Sequence, residues 1–211
     1  MPYSQIIAIK ILFSYLLGSL PIGLWIVAAM KGIDIRTCGS GNIGATNVWR
    51  VCGPVAGTIV FTLDVLKGML PPLILGAGLS SIWKVAFAMA AMGGHVFSVF
   101  LKFRGGKGIA TGLGALLGVA PIAGLVGFSM WILLVLTTRY VSIASLSAGL
   151  SLSGLVPYFY PGDKPRLTLG IACSCVTLLT HRANIRRLLN GTEPRVGQKK
   201  PPAPPVDADH E

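Results

Sequence analysis

Long apolar runs separated by short polar segments dominate the chain as far as about residue 190. A helix that crosses a bilayer needs about 20 consecutive, mostly apolar residues, and several runs reach that length. The runs cover residues 6–30, 53–79, 82–101, 109–138, 140–158 and the shorter 167–180. This pattern predicts an all-α integral membrane protein. Glycines inside the runs, including Gly18, Gly78 and Gly114, are expected to let the helices pack closely.

The run 109–138 is longer than one crossing requires, and Pro121 divides it. Because proline removes a helical hydrogen bond and clashes with the preceding turn, we expect two helices, 109–119 and 122–138, the first short or re-entrant. The chain then forms a compact bundle of about seven transmembrane or half-spanning helices. A five-span topology is the alternative, with 109–138 as one helix and 140–158 lying at the membrane interface.

The positive charges are distributed unevenly between the two sides of this bundle. Charged residues make up only 12% of the chain, against about a quarter in soluble domains. Thirteen of the 18 Lys and Arg residues fall in loops 31–50, 102–108 and 139–140 and in the C-terminal segment, which share one side. Because cytoplasmic loops carry the excess of Lys and Arg, we expect the N-terminus outside and the C-terminus in the cytoplasm. Cations placed between apolar runs also argue against nucleic-acid binding.

The character of the chain changes near residue 190. Residues 1–190 form one predicted transmembrane domain, whereas 191–211 contain the segment KKPPAPP and an acidic end. Such a composition cannot bury a core, so we expect a disordered cytoplasmic tail. The first apolar run exceeds the usual length of a signal-peptide core and has no basic region before it, which favours a retained helix.

A segment rich in glycines and amides, GSGNIGATNVWR at 39–50, follows the first run. Its glycines allow conformations that aim successive backbone N–H groups at an anion, and an arginine can add a bidentate bond to a phosphate. The candidate binding residues are Ser40, Asn42, Thr46, Asn47 and Arg50. The alternative is a flexible connecting loop, which rarely needs so many small and amide-bearing residues.

Three cations and three glycines, in KFRGGKG at 102–108, directly precede the helix predicted from residue 109. The N-terminus of a helix carries unpaired N–H groups and partial positive charge, so it is suited to binding phosphate. The candidate residues are Arg104, Gly105, Gly106, Lys107 and Gly108. The segment is not a Walker loop, since that motif has glycine where this chain has Leu101 and a hydroxyl residue where it has Gly108. Nucleotide hydrolysis is therefore not expected.

The last apolar run ends in a third polar segment, HRANIRR at 181–187. On a helix, His181 and Asn184 are three residues apart and share a face. We expect Arg186 and Arg187 to anchor the chain to anionic lipid headgroups.

Asp64 and Lys67 lie within an apolar run, where an ionisable side chain costs about 2.5–3.5 kcal/mol to insert. Their spacing lets them pair on one helical face, either as a structural ion pair or as the border of a polar cavity. His95, after two glycines, is equally open to both interpretations. Asp64 is the only acidic residue within a predicted span, so neither paired-carboxylate catalysis nor a metal site is expected. The chain also lacks a GxSxG nucleophile motif.

Four strings together carry a family resemblance. They are GSGNIGATNVWR at 39–50, LDVLKGMLP at 63–71, GHVFSVFLKFRGGKGIATG at 94–112 and HRANIRRL at 181–188. In order and spacing they resemble the bacterial acyl-phosphate:glycerol-3-phosphate acyltransferase family from about residue 10 to residue 190. Ser98 stands where that family commonly has proline, Arg104 where it has lysine, and Ile43 where it has proline or valine.

The resemblance implies transfer of a fatty acyl group from acyl phosphate to the 1-hydroxyl of glycerol 3-phosphate, the first step of phospholipid synthesis. The products would be lysophosphatidic acid and phosphate. By the same resemblance, the first segment would hold glycerol phosphate or order its own loop, and Lys107 with the 105–108 amides would form a phosphate loop. The implied catalytic residues are His181, Asn184 and Lys107, with His181 orienting substrate while the acyl phosphate itself accepts the hydroxyl proton.

The resemblance implies no metal, no organic cofactor and no obligatory protein partner. Its partners would be glycerol 3-phosphate, acyl phosphate and membrane lipid, and its place a bacterial inner membrane with the active site on the cytoplasmic side. A transporter of a small phosphorylated solute is the alternative that broken helices and the Asp64–Lys67 pair suggest, although the chain contains no evident internal repeat.

Overall fold

The computed structural model describes residues 2–198, and helices account for most of them. The α-helices are α1 (Tyr3–Ser19), α2 (Ile22–Lys31), α3 (Ala45–Cys52), α4 (Pro54–Leu70), α5 (Ser81–Val96), α6 (Ile109–Val119), α7 (Pro121–Thr138), α8 (Val141–Phe159), α9 (Lys164–Thr180) and α10 (Arg182–Leu189). A π-helical turn, Pro71–Leu75, continues α4, and short 3-10 turns occupy Ile35–Thr37 and Val99–Leu101. The predicted all-α class is confirmed.

Five helical segments are long and apolar enough to cross a membrane. They are Tyr3–Lys31, Pro54–Leu75, Ser81–Leu101, Pro121–Thr138 and Val141–Phe159, while Ile109–Val119 is apolar but shorter. The predicted division of the run 109–138 is confirmed, because α6 and α7 are separate helices with Pro121 at the first position of α7. Proline is tolerated there, since that position has no helical partner for an N–H. The five-span alternative is wrong in joining these two helices, although five segments do reach spanning length.

The first apolar run is also broken, at Leu20–Pro21 between α1 and α2, which the sequence pattern did not predict. Backbone carbonyls freed by a break inside a membrane need donors from the protein itself. Lys67 Nζ donates to the carbonyl of Leu20 at 2.9 Å, and Ser98 Oγ donates to that of Ser19 at 2.6 Å. Proline, common at position 98 in the family that the sequence resembles, would have no hydroxyl to do so.

Glycines allow the closest contacts between helices. A Cβ on Gly18 would lie 2.0 Å from the Ala91 carbonyl oxygen, so α1 and α5 touch backbone to backbone. A Cβ on Gly114 would lie 1.9 Å from the Val65 carbonyl oxygen, which brings α6 equally close to α4. Gly78 does not pack in this way: no atom would lie within 4 Å of its Cβ, and its φ of +71° marks a turn.

Residues 191–198 lie against the bundle beyond α10. Glu193 is buried, the Val196 amide donates to the Arg139 carbonyl at 2.8 Å, and Arg195 Nε donates to the Tyr140 hydroxyl at 2.9 Å. The ordered domain therefore extends past the boundary at residue 190 that composition suggested, because a few polar bonds fix this segment. The rest of the predicted disordered tail, 199–211, lies outside the described residues.

Gly114→Ala should destabilise the contact between α4 and α6. Its added methyl group would meet the Val65 carbonyl, and overpacking of this kind costs about 1–3 kcal/mol. The midpoint of thermal denaturation in detergent micelles should fall. Gly154→Ala is the matched control, because no atom lies within 4 Å of a Cβ at this position in α8. Equal midpoints for the two variants would contradict the proposed contact.

Candidate functional site

A cavity of about 190 Å³ opens at the end of the bundle where the three polar segments meet. Nine of the predicted site residues line it: Ser40, Asn42, Thr46, Asn47, Arg50, Lys107, Gly108, His181 and Asn184. Three do not, namely Arg104, Gly105 and Gly106, and the Arg104 side chain is exposed outside the cavity. Segments far apart in the sequence therefore converge on one site.

Asn47 orders the first segment. Its Oδ1 accepts from the Ser40 amide at 2.9 Å, and its Nδ2 donates to the carbonyls of Cys38 at 3.0 Å and Asn42 at 2.9 Å. Only 2% of the side chain is exposed. A Cβ on Gly39, whose φ is +60°, would lie 2.2 Å from Asn47 Oδ1, so glycine is required where the loop passes this amide. The first segment was expected either to hold glycerol phosphate or to order its own loop, and the bonds of Asn47 fit the second role.

The start of α3 and Arg50 provide the first positively charged wall. Ala45 and Thr46 line the cavity, and their amides stand in the first turn of the helix, where N–H groups have no helical partner. Arg50 lines the cavity and makes no hydrogen bond or ion pair within the described residues. Burial lowers the pKa of Arg50. The negative charge of Glu193 opposes that shift, and the positive charge of Arg187 adds to it. Because an arginine titrates so far above neutrality, the guanidinium stays charged.

Two backbone amides of the second segment are already hydrogen-bonded within the protein and are not free for an anion. The Gly105 amide donates to the Val96 carbonyl and the Gly106 amide to the His95 carbonyl, both at 3.0 Å. These two amides therefore cap the C-terminus of α5, and the prediction that they face a phosphate is wrong. The amides at the start of α6, from Lys107 to Thr111, have no backbone acceptor among the described residues. The anion-binding part of the segment thus begins at Lys107, with Gly108 at a φ of +80°.

Lys107 links the second segment to the third. Its Nζ donates to Asn184 Oδ1, and its carbonyl accepts from Thr180 Oγ1 at 3.2 Å. Burial lowers the pKa of Lys107 to about 8, with Glu193 opposing the shift and the positive charges of Arg187 and Arg50 adding to it. The ammonium is therefore charged at neutral pH, but it loses its proton more readily than an exposed lysine.

His181 is neutral and has a fixed tautomer. Its ring is 3% exposed, and Nδ1 donates to the Thr177 carbonyl at 2.9 Å. Burial and the nearby Lys107 lower the pKa of His181 to about 4, although the bond to Thr177 and the charge of Glu193 oppose that shift. With its proton on Nδ1, the neutral ring can only accept at Nε2. This arrangement favours orienting a hydroxyl over strong base catalysis.

Glu193 and Arg187 are site residues that the sequence reasoning missed. Glu193 Oε1 accepts from Asn184 Nδ2 and Oε2 accepts from Arg187 Nε, both at 2.6 Å. Burial raises the pKa of Glu193, but the bonds from Asn184 and Arg187, with a smaller effect of Ser142, bring it below its ordinary value. Glu193 is therefore a carboxylate at neutral pH. The lipid-anchoring role expected for Arg187 is wrong, since its guanidinium pairs inside the site.

The cavity changes from polar to apolar with depth. Ser142, at the start of α8, is buried on the polar part of the wall. The deeper wall is formed by helices α6 to α9, with Leu113, Leu116, Phe128, Leu152 and Val176. Within residues 2–198, no three His, Cys, Asp or Glu side chains are grouped so that they could hold a metal ion. A cationic opening that continues into a hydrocarbon-like chamber defines a class: a membrane protein with a site for amphiphiles that carry an anionic headgroup.

Comparison with known proteins agrees with this class. The family model described as glycerol-3-phosphate acyltransferase matches residues 8–191. The chain is 43% identical to the glycerol-3-phosphate acyltransferase of Geotalea daltonii over 188 residues, which cover 88% of this chain and 95% of the relative. It is 42% identical to that of Aquifex aeolicus over 189 residues, 88% of this chain and 96% of the relative.

Two solved structures are also similar. The crystal structure of PlsY (YgiH), an integral membrane glycerol 3-phosphate acyltransferase, in its glycerol 3-phosphate form has a TM-score of 0.85 and 39% identity, covering 90% of this chain and 96% of that one. Its lysophosphatidic acid form has a TM-score of 0.82. The chain belongs to the glycerol-3-phosphate acyltransferase family and is an integral membrane acyltransferase. The resemblance in its motifs is confirmed, and the transporter alternative has no support.

The activity should fall as pH rises through about 8, because the pKa of Lys107 is lowered to that value and deprotonation removes a cation from the cavity. A plot of log kcat/KM for glycerol-3-phosphate acyltransfer against pH, measured from 7 to 10, should be level and then decline. In Lys107→Arg, the decline should move to higher pH because arginine keeps its charge. Lys102→Arg, exposed on the same loop, is the control and should leave the profile unchanged. An unshifted decline in Lys107→Arg would contradict this assignment.

Proposed function

We propose that the protein transfers a fatty acyl group from acyl phosphate to the 1-hydroxyl of glycerol 3-phosphate, giving lysophosphatidic acid and phosphate. One observation carries the proposal: a single cavity joins two cationic, amide-rich walls to an apolar chamber between the helices. A soluble phosphorylated acceptor and a membrane-soluble phosphorylated donor are two molecules that such a cavity can hold at once.

The two walls suit two phosphates. In this proposal, the start of α3 with Arg50 holds the phosphate of the acceptor, and the start of α6 with Lys107 holds that of the donor. Each charge-assisted bond to phosphate contributes about 1.5–3 kcal/mol. The glycerol 3-phosphate and lysophosphatidic acid forms of the similar PlsY structures support this acceptor and this product.

The apolar chamber suits the acyl chain. Along α8, the cavity wall runs from Ser142 to Leu152, a rise of about 15 Å at 1.5 Å per residue. That distance is roughly half of a hydrocarbon core about 30 Å thick, so a chain from one leaflet can extend into the chamber. Such a chamber accepts the acyl chain of any donor, so the choice of acyl phosphate over a coenzyme or carrier-protein donor rests on the resemblance in the motifs.

The chemistry requires positioning more than a strong base. The 1-hydroxyl oxygen attacks the acyl carbonyl carbon, the bond from that carbon to the phosphate oxygen breaks, and the departing phosphate takes the hydroxyl proton. His181 Nε2, which can accept but not donate, orients the glycerol through the hydroxyl that does not attack, so the 1-hydroxyl proton stays free for the phosphate. Lys107 and Asn184 stand at the reacting phosphate, and Glu193 fixes Asn184 through Nδ2. The acyl phosphate is already activated, so orientation and charge stabilisation supply most of the acceleration.

The site faces the cytoplasm of a bacterial inner membrane in this proposal. Its walls come from the ends of the spans that carry the excess of Lys and Arg, and such an excess marks the cytoplasmic side. Glycerol 3-phosphate would reach the cavity from that side, while the donor would arrive within the membrane.

The identity of the donor can be tested with purified protein in lipid. Palmitoyl phosphate should support acylation of glycerol 3-phosphate and release of inorganic phosphate, with release only when glycerol 3-phosphate is present. Palmitoyl-CoA, at the same concentration, should support neither. Transfer from palmitoyl-CoA at an equal rate, or no transfer from palmitoyl phosphate, would reject the proposed donor.

Arg50→Ala should raise the KM for glycerol 3-phosphate and lower kcat/KM by about 10–100-fold, the loss expected for a charge-assisted bond worth about 1.5–3 kcal/mol. Arg36→Ala is the control, because Arg36 lies in the same cationic loop but pairs with Asp34 outside the cavity. Unchanged kinetics in Arg50→Ala, or equal losses in the two variants, would show that the acceptor's phosphate binds elsewhere.

A further inference from the structure

Asp64 on α4 and His95 on α5 line the same cavity, although no step proposed above uses them. They are 2% and 4% exposed, respectively, and both lie in segments that can cross the membrane. Polar groups are costly at such a place, so a role for this pair is expected.

Asp64 is held from one side by an ammonium and faces an imidazole on the other. Lys67 Nζ lies 2.7 Å from Asp64 Oδ1 and also donates to the Leu20 carbonyl where the first span breaks. His95 Nδ1 lies 3.7 Å from the same Asp64 oxygen. The carboxylate thus lies between the break in the first span and the His95 ring, with no hydrogen bond to that ring among the described residues.

The other edge of the His95 ring lies under the glycine loop. A Cβ on Gly106 would be 2.3 Å from His95 Nε2, and a Cβ on Gly105 would be 2.0 Å from the His95 carbonyl oxygen. The carbonyls of His95 and Val96 also accept the amides of Gly106 and Gly105. These two glycines therefore pack directly against His95. This contact explains why glycine stands at both positions, which phosphate binding does not explain.

We propose that His95, which packs between Asp64 and the glycine loop, is a positioning residue that sets the place of Gly105–Gly106 and so aims Lys107 and the start of α6 at the phosphate of the acyl donor. Thr180 bonds the carbonyl of Lys107, Asn184 bonds its Nζ, and His95 sets the backbone that enters Lys107 from Gly105–Gly106. The three contacts together fix where Lys107 points. The assignment of this phosphate to the donor rests on the proposed function. Displacements of about 1 Å near a reacting group can cost about 100-fold in rate.

The first test separates positioning of the donor from general loosening. His95→Asn keeps the Asp64–Lys67 pair but removes the atoms under Gly106. It should raise the KM for the acyl donor about tenfold and lower kcat, while the KM for glycerol 3-phosphate stays within about twofold. Gly93→Ala, two residues earlier on α5 with no atom within 4 Å of its Cβ, should change none of the three constants. An unchanged donor KM in His95→Asn, or equal losses in all three constants, would overturn the proposal.

The second test is a double-mutant cycle. Gly106→Ala should impair donor binding strongly in the wild type but much less in the His95→Asn background, because the shorter side chain leaves room for the added methyl group. Gly105→Ala should not be rescued, since its methyl group meets the backbone oxygen at position 95, which asparagine retains. If the losses of donor binding in His95→Asn and Gly106→Ala were additive, or if His95→Asn rescued both glycine variants, the proposed contact between His95 and Gly106 would be overturned.

The cycle is measured with whichever acyl donor the wild type accepts. A wild type that uses a donor other than acyl phosphate contradicts the proposed function, whereas additive losses in the cycle contradict the role of His95. The two failures can therefore be told apart. Thermal midpoints of all variants, measured in the same micelles, establish that each protein is folded.

Discussion

A helix that ends inside a hydrocarbon layer leaves carbonyl groups that water cannot reach, and the structure depends on finding donors for them. Lys67 supplies one for Leu20 where the first span breaks, and the glycine loop supplies amides for the last carbonyls of α5. Each such bond joins segments that are distant in the sequence. The bonds that make the broken helices tolerable in a membrane are the same bonds that bring the polar segments to one cavity.

The sequence predicted the spans well because the thickness of a bilayer imposes a length on every crossing. It also predicted the division between α6 and α7, since a proline inside a long run has a local effect. The break at Leu20–Pro21 was missed because the run 6–30 is apolar throughout and long enough for one span. The hydrogen bonds that satisfy the carbonyls at this break come from Lys67 and Ser98, which are 47 and 79 residues away from the carbonyls they bond. Local patterns carry no information about such partners.

The site was predicted as a set of residues more successfully than as a set of roles. Glycines next to cations indicated anion binding, but composition does not say which amides are already bonded, so Gly105 and Gly106 were assigned to the phosphate when they cap α5. Asn47 likewise uses its amide on its own loop. Glu193 was missed because it stands in a segment whose prolines and charges are typical of a tail, and its importance comes from only two bonds.

The position of Glu193 has a consequence for shortened forms of the protein. Every helix of the described structure precedes this residue in the chain, yet its carboxylate holds both Asn184 and Arg187 in the cavity. A chain that ended at residue 190 would contain all of these helices but would lack this carboxylate. In such a chain, Arg187 would lose its ion-pair partner and Asn184 one of its hydrogen bonds. Truncation just after the last helix would therefore spare the transmembrane spans and still loosen the polar end of the cavity.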